Sequence, residues 1–514
     1  MDGAVLQALR RGAKILRNPL SGPCSSNTRL NILASPLIAY RVGIHSSCPH
    51  NELVALTNRH LVATAHDCDG RYVRDMARLV LPKISLPGVG KTSIWTLANH
   101  YTGPKRRIYL QAAAKVEAEG FNPRWANISM FVKPDKYPLD ALEEKAPRAI
   151  QYRTPMYNLL LGSYLHKIEK SLYDWPDTGP SKTPFMAKGK NNQQRATILM
   201  EKIASFEDPL FVCLDHSKFD SSISVDLLKI EHNWYNTFYR SKFLRQLLKL
   251  QLKNKGYSKN GIKYFVHGTR MSGDFNTGLG NSLINYICLK SWVVSSGVKA
   301  EIFLDGDDSI VIVEADQYSK LDLGHFARFG FTTKVAVTRD LPTVEFCQTR
   351  LLPSGPVMAR NPFRALSHLA VSLKRYPAKT WPRIMEARGI CEELGSAGVP
   401  ILQAYGRALR TGTRPLFLDD DRDKYALAKT TVPMDITDQL RHEYYEAWGL
   451  DAYTQELIEA SFSDPWLISV SKCASNSEYA DATLRAAHAA WRSLPPSSSN
   501  GWTHGIRAGL EILE

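Results

Sequence analysis

Two short apolar runs face each other across four residues near the middle of the chain. Residues 300–304 read Ala-Glu-Ile-Phe-Leu, residues 309–313 read Ser-Ile-Val-Ile-Val, and between them stands Asp305-Gly306-Asp307-Asp308. Short runs rich in β-branched residues predict strands, and Gly306 permits a tight turn, so the stretch predicts a β-hairpin with Asp307 and Asp308 at its tip. Upstream, the apolar run 209–215 predicts a buried strand that ends in Asp215. Helical periodicity over 157–173, 220–239, 278–293 and 317–329 predicts helices, the second opened by Asp220. Residues 331–337 predict a strand carrying Lys334, and 344–348 with 351–352 a small hairpin. Beyond 356 the pattern turns helical, over 363–375, 383–394, 437–448, 453–462 and 480–494, with a loop at 495–500. At the start of the chain Val5, Leu6, Leu9, Ala13, Leu16 and Leu20 recur at helical spacing, which predicts a basic helix lying on the body of the protein. A membrane-surface helix or an organellar presequence are the other readings of that pattern.

Mixed strands and helices over 514 residues give an α+β chain of two or three lobes, and 44% apolar residues suffice for a sizeable core. The net charge of +15 points to a polyanionic partner, either a nucleic acid or an anionic membrane surface. Residues 1–47 carry Arg10, Arg11, Lys14, Arg17, Arg29 and Arg41 against Asp2 alone. Eight cysteines form no Cys-x-x-Cys pair, which favours a reducing compartment. No apolar run reaches the roughly 18 residues of a membrane span. Cys48, His50, His60, His66 and Cys68 lie close in sequence, but their spacing fits no common zinc module, and they read as ordinary residues.

Adjacent carboxylates at one turn repel each other unless a cation sits between them, and such hard oxygen ligands suit Mg²⁺ or Mn²⁺. Asp215, Asp307 and Asp308 stand at the ends of strands expected to be neighbours, where they could hold two divalent ions for in-line attack of a 3′-hydroxyl on phosphorus. Residues 104–158 supply a row of cations, among them Lys133, Lys145, Arg148 and Arg153, with apolar and basic positions alternating as in extended segments. That row suits a triphosphate. Asp220 with Asn281 would read a ribose 2′-hydroxyl. Ser272 and Gly273 give a loop freedom beside a substrate, and Thr277 shares a helix face with Asn281.

Asp215-x4-Asp220, Ser272-Gly273-x3-Thr277-x3-Asn281 and Gly306-Asp307-Asp308 occur in that order and resemble motifs A, B and C of viral RNA-dependent RNA polymerases. In detail the chain is similar to the tombusvirus-like (carmovirus-like) branch of positive-strand RNA viruses. Arg270-Met271-Ser272-Gly273-Asp274-x-Asn276-Thr277 resembles that branch's motif B, and the string from Lys145 to Arg153 its motif F. Phe329-Gly330-Phe331-Thr332-Thr333-Lys334-Val335 and Glu345-Phe346-Cys347-Gln348 resemble its motifs D and E. The resemblance spans residues 133–352.

It implies a right-hand polymerase. A basic leader (1–47) would precede fingers (48–205), a palm with a split βαβ sheet (206–355) interrupted by a fingers insertion at about 234–267, and a helical thumb with a C-terminal tail (356–514). It implies Asp215 and Asp307 as main ligands of Mg²⁺ or Mn²⁺, with Asp308 supporting. Lys133, Lys145, Arg148 and Arg153 would hold the triphosphate, Ser272, Gly273 and Thr277 would shape the loop beside template and nucleotide, and Lys334 would protonate the pyrophosphate. Implied partners are RNA template and product, rNTPs, other viral replication proteins, and host membranes reached through a partner or the leader. The expected place is the host cytoplasm at a membrane-associated replication complex. A reverse transcriptase is the nearest alternative, but it has an aromatic gate near the position of Asp220 and a Tyr-x-Asp-Asp hairpin. A basic RNA-binding protein without catalysis is the alternative from another class.

Overall fold

The apolar runs around the acidic turn are strands. The computed structural model describes residues 5–19, 30–32, 36, 38–374, 376–377 and 379–463. Ala300–Asp305 and Asp308–Glu314 form the expected hairpin, with Asp305 opposite Asp308. Gly306 has φ +72° and Asp307 does not share that sign, the pattern in which glycine occupies the first central position of a two-residue turn. Pro209–His216 pairs antiparallel with Asp308–Glu314 on one side and with Thr333–Thr338 on the other, completing a four-stranded sheet.

Both faces of this sheet are covered, which is why its strands read as nearly unbroken apolar runs. Val212, Leu214, Ile302 and Val311 pack with Leu283 and Ile287 of helix Thr277–Ser295 and with Val73 and Ala77 of helix Gly70–Val80. The opposite face sets Phe211, Phe303 and Ile310 against Leu199, Phe346 and Met358. The Ala300–Asp305 edge is itself covered: Leu304 donates to the Phe185 carbonyl at 2.9 Å and accepts from the Ala187 amide at 2.8 Å.

A second sheet has the order Ala13–Arg17, Lys263–His267, Lys253–Ser258, Ile128–Val132, Ala149–Tyr152, with one parallel pair between Lys253–Ser258 and Ile128–Val132. C-terminal to the hairpin Thr349–Leu352/Val357–Arg360, the helices Trp381–Gly395, Leu402–Ala408, Asp438–Trp448 and Ala452–Ser461 pack around Met385, Leu402, Tyr405 and Tyr444.

Several expectations are corrected. The N-terminal segment is not a helix through Ala13 and Leu16. Ala13–Arg17 is an edge strand on Lys263–His267, entered through Gly12 at φ +82°, and the sheet edge supplies the hydrogen bonds that a lone helix would have had to make internally. The helix expected over 220–239 breaks at Ile223, and Ser224 caps a new helix, Val225–Tyr239, by accepting from the Leu227 amide at 3.2 Å. The helix expected over 317–329 is a 3₁₀ segment, Ala315–Lys320, followed by a short helix, Gly324–Arg328. Residues 344–348 are not a strand, because Cys347 and Gln348 take left-handed conformations (φ +50° and +62°) and turn the chain into Thr349–Leu352. The helix expected over 363–375 ends at Leu369. The expected helix 480–494 and loop 495–500 lie outside the described residues.

Lys202 and Glu301 form a fully buried ion pair at 2.8 Å that ties helix Asn192–Ile203 to the hairpin. Removing one member of such a pair leaves an uncompensated buried charge. Lys202→Met is therefore expected to lose about 3 kcal/mol in chemical denaturation. Adding Glu301→Gln should recover much of that loss, and a single variant as stable as the parent would show that the pair does not hold the helix.

Candidate active site

The register of the central sheet sets charged residues in a row. Asp305 lies opposite Asp308, the next step of the register that joins Ser309 to Leu214 puts Asp308 beside Asp215, and Asp215 lies opposite Lys334. Side chains in register on neighbouring strands share a face. Asp215, Asp308 and Lys334 accordingly line one cleft of about 200 Å³, walled also by Cys213, Glu345 and Phe346.

The row is partly neutralised. Arg195 donates to Asp305 at 2.7 Å, but among the described residues Asp215, Asp307 and Asp308 make no ion pair. Desolvation by the crowded walls, reinforced by Asp308 and Asp220, pushes the Asp307 carboxyl up to about 6, with Arg148 pulling the other way. Asp308 is raised by desolvation and then by Asp215 and Asp305. No three His, Cys, Asp or Glu side chains among the described residues are already gathered as a metal cage. The donors nevertheless fit a hard divalent ion, being carboxylates only, and a bound cation would offset both the desolvation and the mutual repulsion that raise Asp307 and Asp308.

Helix Thr277–Ser295 holds the hairpin tip. Ser282 accepts from the Gly306 amide at 3.1 Å, and Asn285 donates to the carbonyls of Gly306 at 3.0 Å and Asp307 at 3.3 Å. His216, which burial pushes down to about 4, bonds Asn285 at 3.1 Å and Thr333 at 2.8 Å. These residues were missed in the sequence, although Ser282 and Asn285 are polar residues set among the apolar positions of this helix, close to Asn281, which is the signal that would have found them.

Asp220 caps no helix with its side chain. Asn281 donates to its carboxylate at 2.7 Å, and burial raises the Asp220 carboxyl. Asn281 is oriented in turn by Arg270, which donates to its carbonyl oxygen at 3.0 Å and is itself held by buried Glu231. Arg270 thus determines which end of the Asn281 amide faces Asp220.

The cations divide into two groups. Lys133 and Arg148 both reach Asp135, at 3.1 and 3.6 Å, and Lys145 lies 5.8 Å from the centre of the Tyr137 ring. Arg148 is exposed and within electrostatic reach of Asp220 and Asp307. Arg153 corrects the expectation that it contacts a triphosphate. It is 2% exposed and donates to Asp274 at 2.6 Å, Asn254 at 2.6 Å and the Ala126 carbonyl at 2.6 Å, so its guanidinium is consumed inside the protein.

The 270–277 loop is likewise built differently from the expectation. Gly273 has no unusual φ. Its amide donates to the Gln151 carbonyl at 2.7 Å, and an added Cβ would lie 2.7 Å from the Tyr152 Cβ, so glycine serves close backbone approach and not freedom to flex. Ser272 accepts from the Gln151 amide at 3.1 Å, and Thr277, which shares a face of helix Thr277–Ser295 with Asn281, donates its hydroxyl back to the Met271 carbonyl at 2.8 Å. The early Cys/His group has local duties: Cys48 caps helix Pro49–Ala55, and His60 accepts from the Ala149 amide at 3.3 Å.

The chain matches, over residues 20–470, the family described as viral RNA dependent RNA polymerase. It is 32% identical over 391 residues to the RNA-directed RNA polymerase of turnip crinkle virus, covering 72% of this chain and 50% of that protein. It is likewise 32% identical over 391 residues to that of melon necrotic spot virus, covering 70% and 48%. With the RNA-directed RNA polymerase of red clover necrotic mosaic virus it shares 28% identity over 461 residues, 82% and 59% of the two chains. The chain thus spans about half the length of the curated relatives it matches.

The folded-state value of about 6 at Asp307 lies above that of an unfolded aspartate. Its ionisation therefore opposes folding above pH 6, and the penalty fades as pH falls toward about 4. In chelator-treated buffer Asp307→Asn should raise Tm at about pH 7.5 and raise it less at about pH 4.5. Equal shifts at the two pH values would mean that ionisation of Asp307 does not oppose folding.

Proposed function

The chain belongs to the viral RNA-dependent RNA polymerase family, and from that premise we propose that it extends an RNA 3′-end with ribonucleotides on an RNA template, replicating a viral genome. The observation that carries this reading is the convergence at one end of the central sheet. Asp215, Asp308 and Lys334 line one cleft, Asp307 lies within electrostatic reach of Asp220 and Arg148, and Asn281 is bonded to Asp220.

In this reading the central sheet within 206–355 is the palm, the 48–205 region with the 234–267 insertion forms fingers built on the second sheet, and the helices from 356 onward form the thumb. Asp215 and Asp307, supported by Asp308, hold Mg²⁺ or Mn²⁺. Divalent ions on these carboxylates supply Lewis-acid stabilisation of the charge developing at phosphorus and acidify the attacking hydroxyl. Arg148, Lys133 and Lys145 take the triphosphate, which displaces Asp135 from the two cations it now occupies. Lys334, beside Asp215 in the sheet register, is the proton donor to the departing pyrophosphate. Asp220 and Asn281 read the 2′-hydroxyl of the incoming nucleotide, and the Arg270–Glu231 pair keeps the amide turned toward it.

RNA template, RNA product and rNTPs are the partners that follow, and the +15 net charge supports a polyanionic one. Other viral replication proteins are proposed as partners at a membrane-associated complex in the host cytoplasm. Among the described residues no helix is long and apolar enough to cross a membrane, and attachment through a partner or through the basic N-terminal segment belongs to the same proposal.

Incorporation of labelled rNTP on an RNA template with Mg²⁺ tests the reading. Asp307→Ala is expected to reduce it by about a hundredfold or more, and activity retained by a folded Asp307→Ala protein would reject the assignment. Asp220→Ala should lower the preference for rNTP over dNTP by about tenfold, the worth of one lost hydrogen bond to a buried group. Arg270→Lys should lower it in the same direction by less, and an unchanged ratio in Asp220→Ala would remove the sugar-reading role.

A further inference from the structure

Helix Asn192–Ile203 lies along the strand Ala300–Asp305 and meets it in three rungs. Residues 301, 303 and 305 share one face of the strand, and residues 195, 199 and 202 form one stripe of the helix. Lys202 pairs with Glu301 at 2.8 Å, Leu199 and Phe303 lie in one buried cluster, and Arg195 donates to Asp305 at 2.7 Å. The start of the helix is fixed as well, by a capping box between Asn191 and Gln194. Two buried rungs and a fixed helix start thus set where Arg195 meets Asp305.

The two ionic rungs are not alike. The side chains of Lys202 and Glu301 are 0% exposed, whereas those of Arg195 and Asp305 are 17% and 21% exposed, at the end of the strand that reaches the acidic turn. Asp305 stands opposite Asp308, and directly opposed side chains of an antiparallel pair share a face with Cβ atoms about 5 Å apart. Asp308, raised by burial and then by Asp215, feels Asp305 as well. Asp305 is therefore a fourth carboxylate of the row, and it is already occupied. The Arg195 guanidinium is held on two sides, since its Nε donates to the Lys190 carbonyl at 3.2 Å while Nη2 reaches Asp305. A guanidinium keeps its charge throughout the ordinary pH range, so the pairing does not switch off.

The number of carboxylates offered matters to the ion. Ca²⁺ takes six to eight oxygen ligands in flexible geometry and binds more tightly as charged ligands are added. Mg²⁺ demands a near-ideal octahedron, keeps several waters and is held by one or two carboxylates. We propose that Arg195 sets the metal preference of the acidic cleft: by occupying Asp305 it keeps a fourth carboxylate away from Asp215, Asp307 and Asp308 and so disfavours Ca²⁺. The inference rests on the reading of those three as metal ligands. Arg195 is a positioning residue that acts through Asp305.

The test follows Mn²⁺ binding to the full chain by electron paramagnetic resonance, without RNA or nucleotide, and compares Ca²⁺ and Mg²⁺ as competitors. General electrostatic changes act on both ions alike, and their ratio isolates the donor set. Arg195→Gln is expected to favour Ca²⁺ over Mg²⁺ about tenfold more than the parent does. Arg195→Lys, which keeps the charge, should stay close to the parent, and Arg195→Gln combined with Asp305→Asn should return to the parental ratio. Asp305→Asn alone should leave the ratio unchanged, an arm that holds even where a thermal scan shows Arg195→Gln to be unfolded. An unchanged ratio in folded Arg195→Gln, a double variant that keeps the altered ratio, or an altered ratio in Asp305→Asn would overturn the proposal. A purely structural rung would lower Tm and leave the ratio alone. Mn²⁺ binding that is undiminished in Asp307→Ala would instead reject the metal reading and this inference with it, whereas binding that depends on Asp307 with no effect of Arg195 rejects this inference only.

Discussion

Like charges held on rigid strands cannot move apart, and the central sheet holds Asp305, Asp308 and Asp215 in neighbouring register positions with Asp307 at the turn beside them. Carboxylates so placed raise one another's affinity for protons, which is the direction found at Asp307 and Asp308. Much of the surrounding structure serves to keep that arrangement in place. The strands are buried on both faces, Ser282 and Asn285 fasten the hairpin tip, and Arg195 removes one charge by pairing with Asp305. Among the described residues Asp215, Asp307 and Asp308 are left without an ion pair, a set whose repulsion a bound cation would relieve.

A second system of charges is wholly buried and fully paired. Glu231 holds Arg270 and accepts from Asn276 at 2.7 Å, while Gln251 links Asn276 to Asp274 and Asp274 to Arg153. Buried ion pairs are weak contributors to net stability, but they fix geometry when every donor has an acceptor. Here they fix the amide of Asn281 against Asp220 and the 270–277 loop against the second sheet. The contrast is physical: charges that position others are buried and neutralised, and charges available to a ligand are exposed or unpaired.

This division explains what was legible in the sequence. The acidic hairpin, the strand ending in Asp215 and the helix bearing Asn281 are encoded locally, by runs of β-branched residues, a turn glycine and helical periodicity, and they formed where those patterns lay. Arg153 and Arg148 carry the same charge five residues apart, and nothing local says that one meets Asp274 in the core while the other stays in solvent. Arg270 and Glu231 are 39 residues apart, and their pairing exists only once helix Val225–Tyr239 packs on helix Thr277–Ser295. The N-terminal segment misled for a related reason: its apolar spacing suits a helix, but an unpaired sheet edge offered it backbone partners that no local pattern can reveal.

A close backbone contact joins the 270–277 loop to the Ala149–Tyr152 strand of the second sheet, and it accounts for the glycine in that loop. Gly273 approaches Gln151 and Tyr152 so closely that any Cβ would fall 2.8 Å from the Gln151 carbonyl oxygen, nearer than packed atoms tolerate. The amide of Gly273 and the hydroxyl of Ser272 then bond consecutive groups of the Ala149–Tyr152 strand. Arg148, immediately before that strand, is thereby fixed relative to the loop, and through Arg270 and Asn281 the loop is fixed relative to Asp220. A cation and a carboxylate 72 residues apart in sequence are thus tied together through main-chain bonds and buried side chains. Such a frame favours one distance between the two groups over others, which is how a site built from distant segments can discriminate by fit.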